Sequence, residues 1–361
     1  MSAARDGTPR STDAKANADV SSRTWDALFS GWERYAHVAL AVSGGADSVA
    51  LMRLAHAQLQ AACETSASAP FPQLTVLTVN HGLRKEAATE AEWVRAEAAR
   101  LGLPHHTLDW RGEKPTTRIQ ATARQARYAL MADFCHTHNI GALAVAHTQD
   151  DQAETFLMRL ARGSGVDGLA GMSVVSQRHG LDILRPLLGV SRAELEAYLS
   201  ERGQGWLNDP SNQNTHYERV RIRRALRKGQ TLGLTAEKLA LSAKRLGRAR
   251  AALEVAAHAF LSETLYIHDT GYAEMALEPF QQLPEEIALR VLSRVILLVR
   301  GGETDGDGQP RTLPLMRMAR LETLLADLRG ADARGGTIAG VAVFELMGSV
   351  LFIREYGRME A

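Results

Sequence analysis

Short apolar runs alternate with longer amphipathic stretches along the first 190 or so residues of this 361-residue chain. The runs His37–Val42, Leu74–Val79, His105–Asp109 and Ala142–Ala146 are brief and carry β-branched members, which predicts strands. Between them, Asp47–Leu59, Glu86–Leu101 and Thr117–His138 place Ala, Leu, Glu and Arg at i, i+3, i+4 spacing and predict helices. Such alternation predicts an α/β fold, a parallel sheet with helices on both faces. Ligands of such sheets bind beyond the carboxyl ends of the strands. Polar residues gather at three of those ends: Ser43-Gly44-Gly45-Ala46-Asp47-Ser48 after the first strand, Asn80-His81-Gly82-Leu83-Arg84 after the second, and His147 onward after the fourth.

Further along, Arg162–Gly171 is glycine-rich and reads as a loop, followed by a hairpin and Arg185-Pro186-Leu187-Leu188. Ser191 opens the next helix, with Glu194 completing a capping box. Beyond Asn208-Asp209-Pro210-Ser211-Asn212 the composition turns basic. From Arg219 to Arg250, arginines and lysines face only Glu237, with Glu218 just before, for a local balance of about +9. The domain boundary is placed in this stretch. The expected organisation is a disordered tail over 1–24, a catalytic domain over 25–215, a basic helical linker over 216–250 and a smaller α-rich accessory domain over 251–361. The last has helices near Ala251–Tyr266, Glu285–Arg300 and Leu315–Leu328, a polar loop at Gly301–Pro310, and a terminal hairpin, Thr337–Glu345 with Ser349–Glu355.

Composition narrows this picture a little. At 45% apolar and 23% charged residues a sizeable core is available, and a formal charge of +1 leaves any nucleic-acid signal to local clustering. No apolar run approaches the ~18 residues of a membrane span, and the first 24 residues lack the apolar core of a secretory signal. Cys63 and Cys135 have no metal or redox spacing and are expected as free thiols in a cytoplasmic protein.

Candidate chemistry centres on the strand ends. Gly44 and Gly45 let backbone N–H groups approach an anion closely, and the helix that follows turns its positive end to the same place. The turn has no lysine, so it is not a Walker loop; a plain strand-to-helix turn is the bland alternative. His147, Asp150, Asp151 and Glu154 fall at i, i+3, i+4 and i+7 of one expected helix, within an arc of about 100°. Three carboxylates there repel one another unless a cation such as Mg²⁺ joins them; a solvated helix face is the alternative. Gln120, Arg124, Arg127 and Tyr128 share another helix face, where arginine forks suit phosphate or carboxylate. His81 and Arg84 are either turn residues or nucleotide contacts. The basic stretch, with Arg219, Arg221, Arg223, Arg224 and Arg227 at its start, suits an RNA backbone or is a solvated helix.

Taken together, SGGADS at 43–48, VNHGLR at 79–84, QATARQARY at 120–128, AHTQDDQAET at 146–155, RGSGVDGLAGM at 162–172, RPLL at 185–188 and NDPSN with ERVRIRR at 208–224 resemble bacterial tRNA(Ile)-lysidine synthases. These belong to the PP-loop ATP pyrophosphatases. Residues 335–340 and 352–355 resemble the close of that family's accessory domain. The SGGxDS loop is shared with many PP-loop enzymes, whereas DDQxET joined to the glycine-rich run and DPSN is far more specific.

The resemblance implies that ATP adenylates the O2 of the first anticodon cytidine of a tRNA(Ile) with a CAU anticodon. Lysine's ε-amine then attacks C2 and AMP leaves. It implies ATP contacts at Ser43, Gly44, Gly45, Ala46, Asp47, Ser48, His81, Arg84 and Gly163, and Mg²⁺ on Asp47 and Asp151. Asp150, Glu154 and His147 are expected to hold and deprotonate lysine, Arg124 to meet a phosphate or carboxylate, and Arg219, Arg221, Arg223, Arg224 and Arg227 to contact tRNA. A homodimer is one expected assembly, and a further tRNA-binding domain of longer members is not expected. Two positions depart from the family pattern: Thr148 replaces a common His and Val220 a frequent Asn. Thr148 is expected about 100° from the acidic face. A PP-loop tRNA 2-thiolase lacks the needed cysteines here, an amide ligase would not need the basic stretch, and a degenerate RNA-binding protein has only Thr148 in its favour.

Overall fold

The computed structural model describes residues 25–64, 71–82, 86–111, 119–208, 218–301, 315–330 and 335–355. The expected tail, Arg84, most of the Asn208–Asn212 motif and the Gly301–Pro310 loop beyond its first residue lie outside the described residues. The chain divides into two compact units, Met1–Asp151 with Leu184–Asn214, and Gln152–Ile183 with Thr215–Ala361.

In the first unit, β1 (His37–Ala41), α1 (Ala46–Glu64), β2 (Gln73–Asn80), α2 (Ala87–Arg100), β3 (His105–Asp109), α3 (Ile119–Thr137) and β4 (Ala142–Ala144) follow one another. The strands run parallel in the order β3-β2-β1-β4, with Val38 beside both Leu74 and Ala142. The middle three residues of β1 are buried, which is why they are continuously apolar rather than alternating. Val38, Leu40, Leu74 and Val76 pack with Val49, Leu51 and Leu54 of α1, Val94 and Ala98 of α2, and Leu195 and Leu199 further along the chain. α3 lies against β2 and β4. Because the chain builds outward from β1 to β3 and then returns to β4 on the other side, the topological switch falls between the carboxyl ends of β1 and β4.

α4 (Gln149–Leu160) begins in this unit and continues into the second, where α5 (Val166–Leu169) follows. β5 (Val175–Arg178) and β6 (Leu181–Leu184) form the expected hairpin, turned by His179 and Gly180 at φ +50° and +71°. The Val145 N–H donates to the Leu184 carbonyl at 2.9 Å. α6 (Arg192–Glu201) then opens on Ser191 with both halves of the expected capping box.

The second unit continues with α7 (Glu218–Gly229) and α8 (Ala236–Thr264). The sequence places a linker up to residue 250 and a new helix from 251, but α8 runs through that point without a break. β7 (Leu265–Ile267), β8 (Ala273–Ala276), α9 (Leu277–Gln281), α10 (Glu285–Arg300), α11 (Leu315–Arg329), β9 (Gly336–Ile338), β10 (Val341–Leu346) and β11 (Ser349–Arg354) complete it. The single terminal hairpin of the sequence reading is instead part of a five-stranded antiparallel sheet, ordered β7-β8-β11-β10-β9. Positive φ at Ala339 and Gly340 folds the presumed first arm back on itself. α10 buries Ile287, Val291, Val295 and Val299 beneath this sheet's apolar face, with Leu321, Leu325 and Leu328 of α11. Within it, Arg290 is 5% exposed and reaches Asp167, Glu254 and Glu286, so that one cation ties α5, α8 and α10 together.

Candidate active site

The loop between β1 and α1 is closed by its own serine. Buried Ser48 donates its hydroxyl to the Gly45 carbonyl at 2.9 Å and accepts from the Ser43 N–H at 3.2 Å. Gly44 is required twice over: its φ is +89°, and a Cβ would lie 2.7 Å from Leu207 Cδ1. A Cβ on Gly45 would meet only Ser43 Oγ, at 3.9 Å, so the loop is open on that side. The Leu207 N–H fastens the loop by donating to Gly44 O at 2.9 Å.

Three helix N-termini converge here. Asp47 lies in the first turn of α1, Asp150 and Asp151 in the first turn of α4, and Arg192 in the first turn of α6. Arg192 grips Asp47 with a fork, Nη2 to Oδ2 at 2.9 Å and Nε to Oδ2 at 3.1 Å. Its backbone N–H donates to Asp150 Oδ2 at 2.8 Å, and Nη2 stands 4.0 Å from Asp151 Oδ1. Burial lifts the Asp47 carboxyl above its usual range; Arg192 pulls it back in part, and the charges of Asp151 and Asp150 lift it again. Desolvation works against the Arg192 charge, but Asp47 and its carboxylate neighbours outweigh it and hold the guanidinium firmly protonated. One arginine therefore faces three carboxylates, leaving negative charge in surplus.

Arg192 was not among the residues singled out from sequence. The available signal was the surplus itself, three acids with no cation assigned to them. Thr148 also takes a different place from the expected one. His147 and Thr148 precede α4, so His147 does not open a helical face. Thr148 is fully buried and caps the helix, its N–H and hydroxyl donating to Asp151 Oδ2 at 2.9 and 3.1 Å. Asp151 thus spends one oxygen on its own helix and turns the other toward Arg192.

The remaining sequence candidates make other contacts. Glu154 belongs to the second unit, is 1% exposed, and pairs with Nε of Arg223 on α7. Arg221, Arg224 and Arg227 on the same helix are exposed, Arg219 is half-buried, and Val220 is buried. Gly163, at φ +70°, ends α4: its N–H reaches Leu160 O at 2.9 Å and the Ser164 N–H reaches Arg159 O at 3.0 Å. The glycine-rich run that follows is a brace. Arg159 donates to the carbonyls of Gly168 and Gly171, and the Gln152 amide exchanges two 2.7 Å bonds with the backbone of Met172. A Cβ on Gly171 would strike Gln152 Oε1 at 2.5 Å, hence the glycine. Arg124 sits 5.3 Å from the Tyr128 ring on α3, and His81 lies edge-on to Trp110.

Among the described residues no group of three or more His, Cys, Asp or Glu is arranged to hold a metal ion by itself. Cys63 is exposed at the end of α1, and burial pushes the Cys135 thiol up to about 12, so the chain has no activated thiol pair. No described helix is long and apolar enough to cross a membrane.

A loop of this build at a β1/β4 switch point defines a PP-loop domain, and a family model described as a PP-loop domain matches residues 18–229. The chain is 42% identical over 325 residues to the tRNA(Ile)-lysidine synthase of Bradyrhizobium diazoefficiens, covering 88% of this chain and 85% of that protein. Its counterpart in Methylobacterium nodulans is 43% identical over 320 residues, covering 87% and 88%. That of Ruegeria pomeroyi is 40% identical over 327 residues, covering 89% and 72%. The chain belongs to the tRNA(Ile)-lysidine synthase family.

Proposed function

We propose that this chain ligates lysine to C2 of the cytidine at the first anticodon position of tRNA(Ile) with a CAU anticodon, converting ATP to AMP and pyrophosphate. One observation carries the reading: three helix N-termini and three carboxylates meet at an SGGxDS loop, in a chain 42% identical to a protein named for that activity. The helix ends and the amides of Gly44, Gly45 and Ala46, with the Ser43 hydroxyl, suit the phosphates of ATP, while Ser48 keeps the loop closed.

The donor set also suits Mg²⁺, which takes one or two carboxylates and completes its shell with phosphates and water. Asp47 and Asp151 would hold it. When bound, it offsets charge developing on the departing pyrophosphate. The lysine ammonium must be held by carboxylate and lose a proton before its nitrogen can attack C2. Asp150 is the group for that task, with His147 nearby in sequence; Glu154, the other carboxylate expected there, is 1% exposed and already taken up by Arg223. Arg124, His81, Arg84 and Gly163 complete the proposed nucleotide surroundings, and Arg219, Arg221, Arg223, Arg224 and Arg227 the tRNA contact, in a cytoplasmic enzyme.

An unmodified transcript of that tRNA, incubated with ATP, Mg²⁺ and radiolabelled lysine, tests the reading. Label should enter the RNA with one AMP and one pyrophosphate released per lysine, and a transcript with uridine at the first anticodon position should stay unlabelled. Absence of transfer at saturating ATP and Mg²⁺ would sink it.

A further inference from the structure

The structure assigns Arg192 as a positioning residue, a built-in cation that holds Asp47, Asp150 and Asp151 in register before a metal-bound nucleotide arrives. This rests on the ATP reading above but concerns the carboxylates alone.

Arg192 reaches three acids on two other helices through its backbone N–H and two guanidinium nitrogens. Its Nε and Nη2 both address Asp47, its backbone N–H holds Asp150, and its Nη2 faces the Asp151 oxygen that Thr148 leaves over. Its own place is set independently. The Ser191–Glu194 box starts α6 one residue earlier, and the N–H at this first helical position has no partner within its helix, so Asp150 supplies one. Without a cation the three carboxylates would repel one another and splay. A lysine could supply the charge but not the planar fork that orients both Asp47 oxygens.

Substituting Arg192 therefore has two separable consequences. The surplus of negative charge grows, so the nucleotide-free protein should attract a free divalent ion more strongly. Asp47 loses its orientation, so nucleotide binding should weaken. Mn²⁺ binding, read by electron paramagnetic resonance without nucleotide, and ATP binding, read by calorimetry with Mg²⁺, report the two. Arg192→Gln should bind Mn²⁺ at least about tenfold more tightly than the parent and ATP at least about tenfold more weakly. Arg192→Lys should keep the parent's Mn²⁺ affinity within about threefold while still losing ATP affinity.

A residue that only braced the fold would lower thermal stability without strengthening Mn²⁺ binding. Mn²⁺ affinity in Arg192→Gln no higher than in the parent overturns the assignment. If Arg192→Gln does not fold, Arg192→Lys decides, and an unchanged ATP affinity overturns it. Neither readout uses tRNA or lysine, so failure of lysine transfer in the parent would be told apart from failure here.

Discussion

Two carboxylate–arginine pairs, one in each unit, use the same chemical groups to opposite ends. Glu154 and Arg223 are matched one to one, and Glu154 is 1% exposed beside an arginine 24% exposed. Asp47 and Arg192 are more open, at 21% and 30%, and two further carboxylates crowd the same guanidinium. A balanced buried pair mainly costs stability when broken, because the survivor is left charged and desolvated. An unbalanced, partly open pair has less stability to lose and charge left over to act on a ligand. Burial and neighbours, rather than the pairing itself, separate a structural ion pair from a functional one.

That contrast can be broken in graded ways. Arg223→Ala strands the Glu154 carboxylate and should cost about 3–5 kcal/mol in denaturant unfolding; a loss near zero would remove the distinction. Asp47→Ala should cut lysine transfer by about 10²–10³-fold while the unfolding midpoint barely moves. A large drop in the midpoint would place Asp47 with Glu154 instead. Salt dependence of tRNA binding gives a milder readout. Arg224→Ala and Arg227→Ala should each lower the slope of log K against log salt by about 1. Arg223 is engaged with Glu154, so a much smaller change is expected from its replacement.

The smallest effect concerns pH. Burial raises the folded-state pKa of Asp47 above its ordinary 3.8, so the folded chain holds this proton more tightly than the unfolded one. The contribution is full below 3.8 and is lost as pH rises through the raised value. The stability of the parent minus that of Asp47→Asn should decline across this window and then level off in thermal melts. A difference that grows with pH would mean that Arg192 outweighs burial.

Much of the secondary structure was legible because its signals are local. β3 and α10 coincide with the expected His105–Asp109 and Glu285–Arg300, and β1 ends one residue early, since an apolar run or a 3.6-residue period is written into adjacent positions. The misreadings occurred where local signals compete. α8 hides a supposed boundary because Arg248, Arg250 and Ala251 are all good helix formers, and a change in charge does not break a helix. β7 and β8 are three and four residues long, too short for a period to register. The angle of about 100° expected for Thr148 holds only inside a helix, and Thr148 stands outside α4 as its cap.

The sequence by itself determined the α/β order of the first unit, the glycine loop after β1 and the family to which the chain belongs. Each is carried by residues adjacent in the chain or by a motif's internal spacing. Only the tertiary structure decided which acids share a charge. Asp47 and Arg192 are 145 positions apart, and Glu154 and Arg223 are 69 apart. Electrostatic partnership depends on distance and burial in space, and neither has a local signature along the chain.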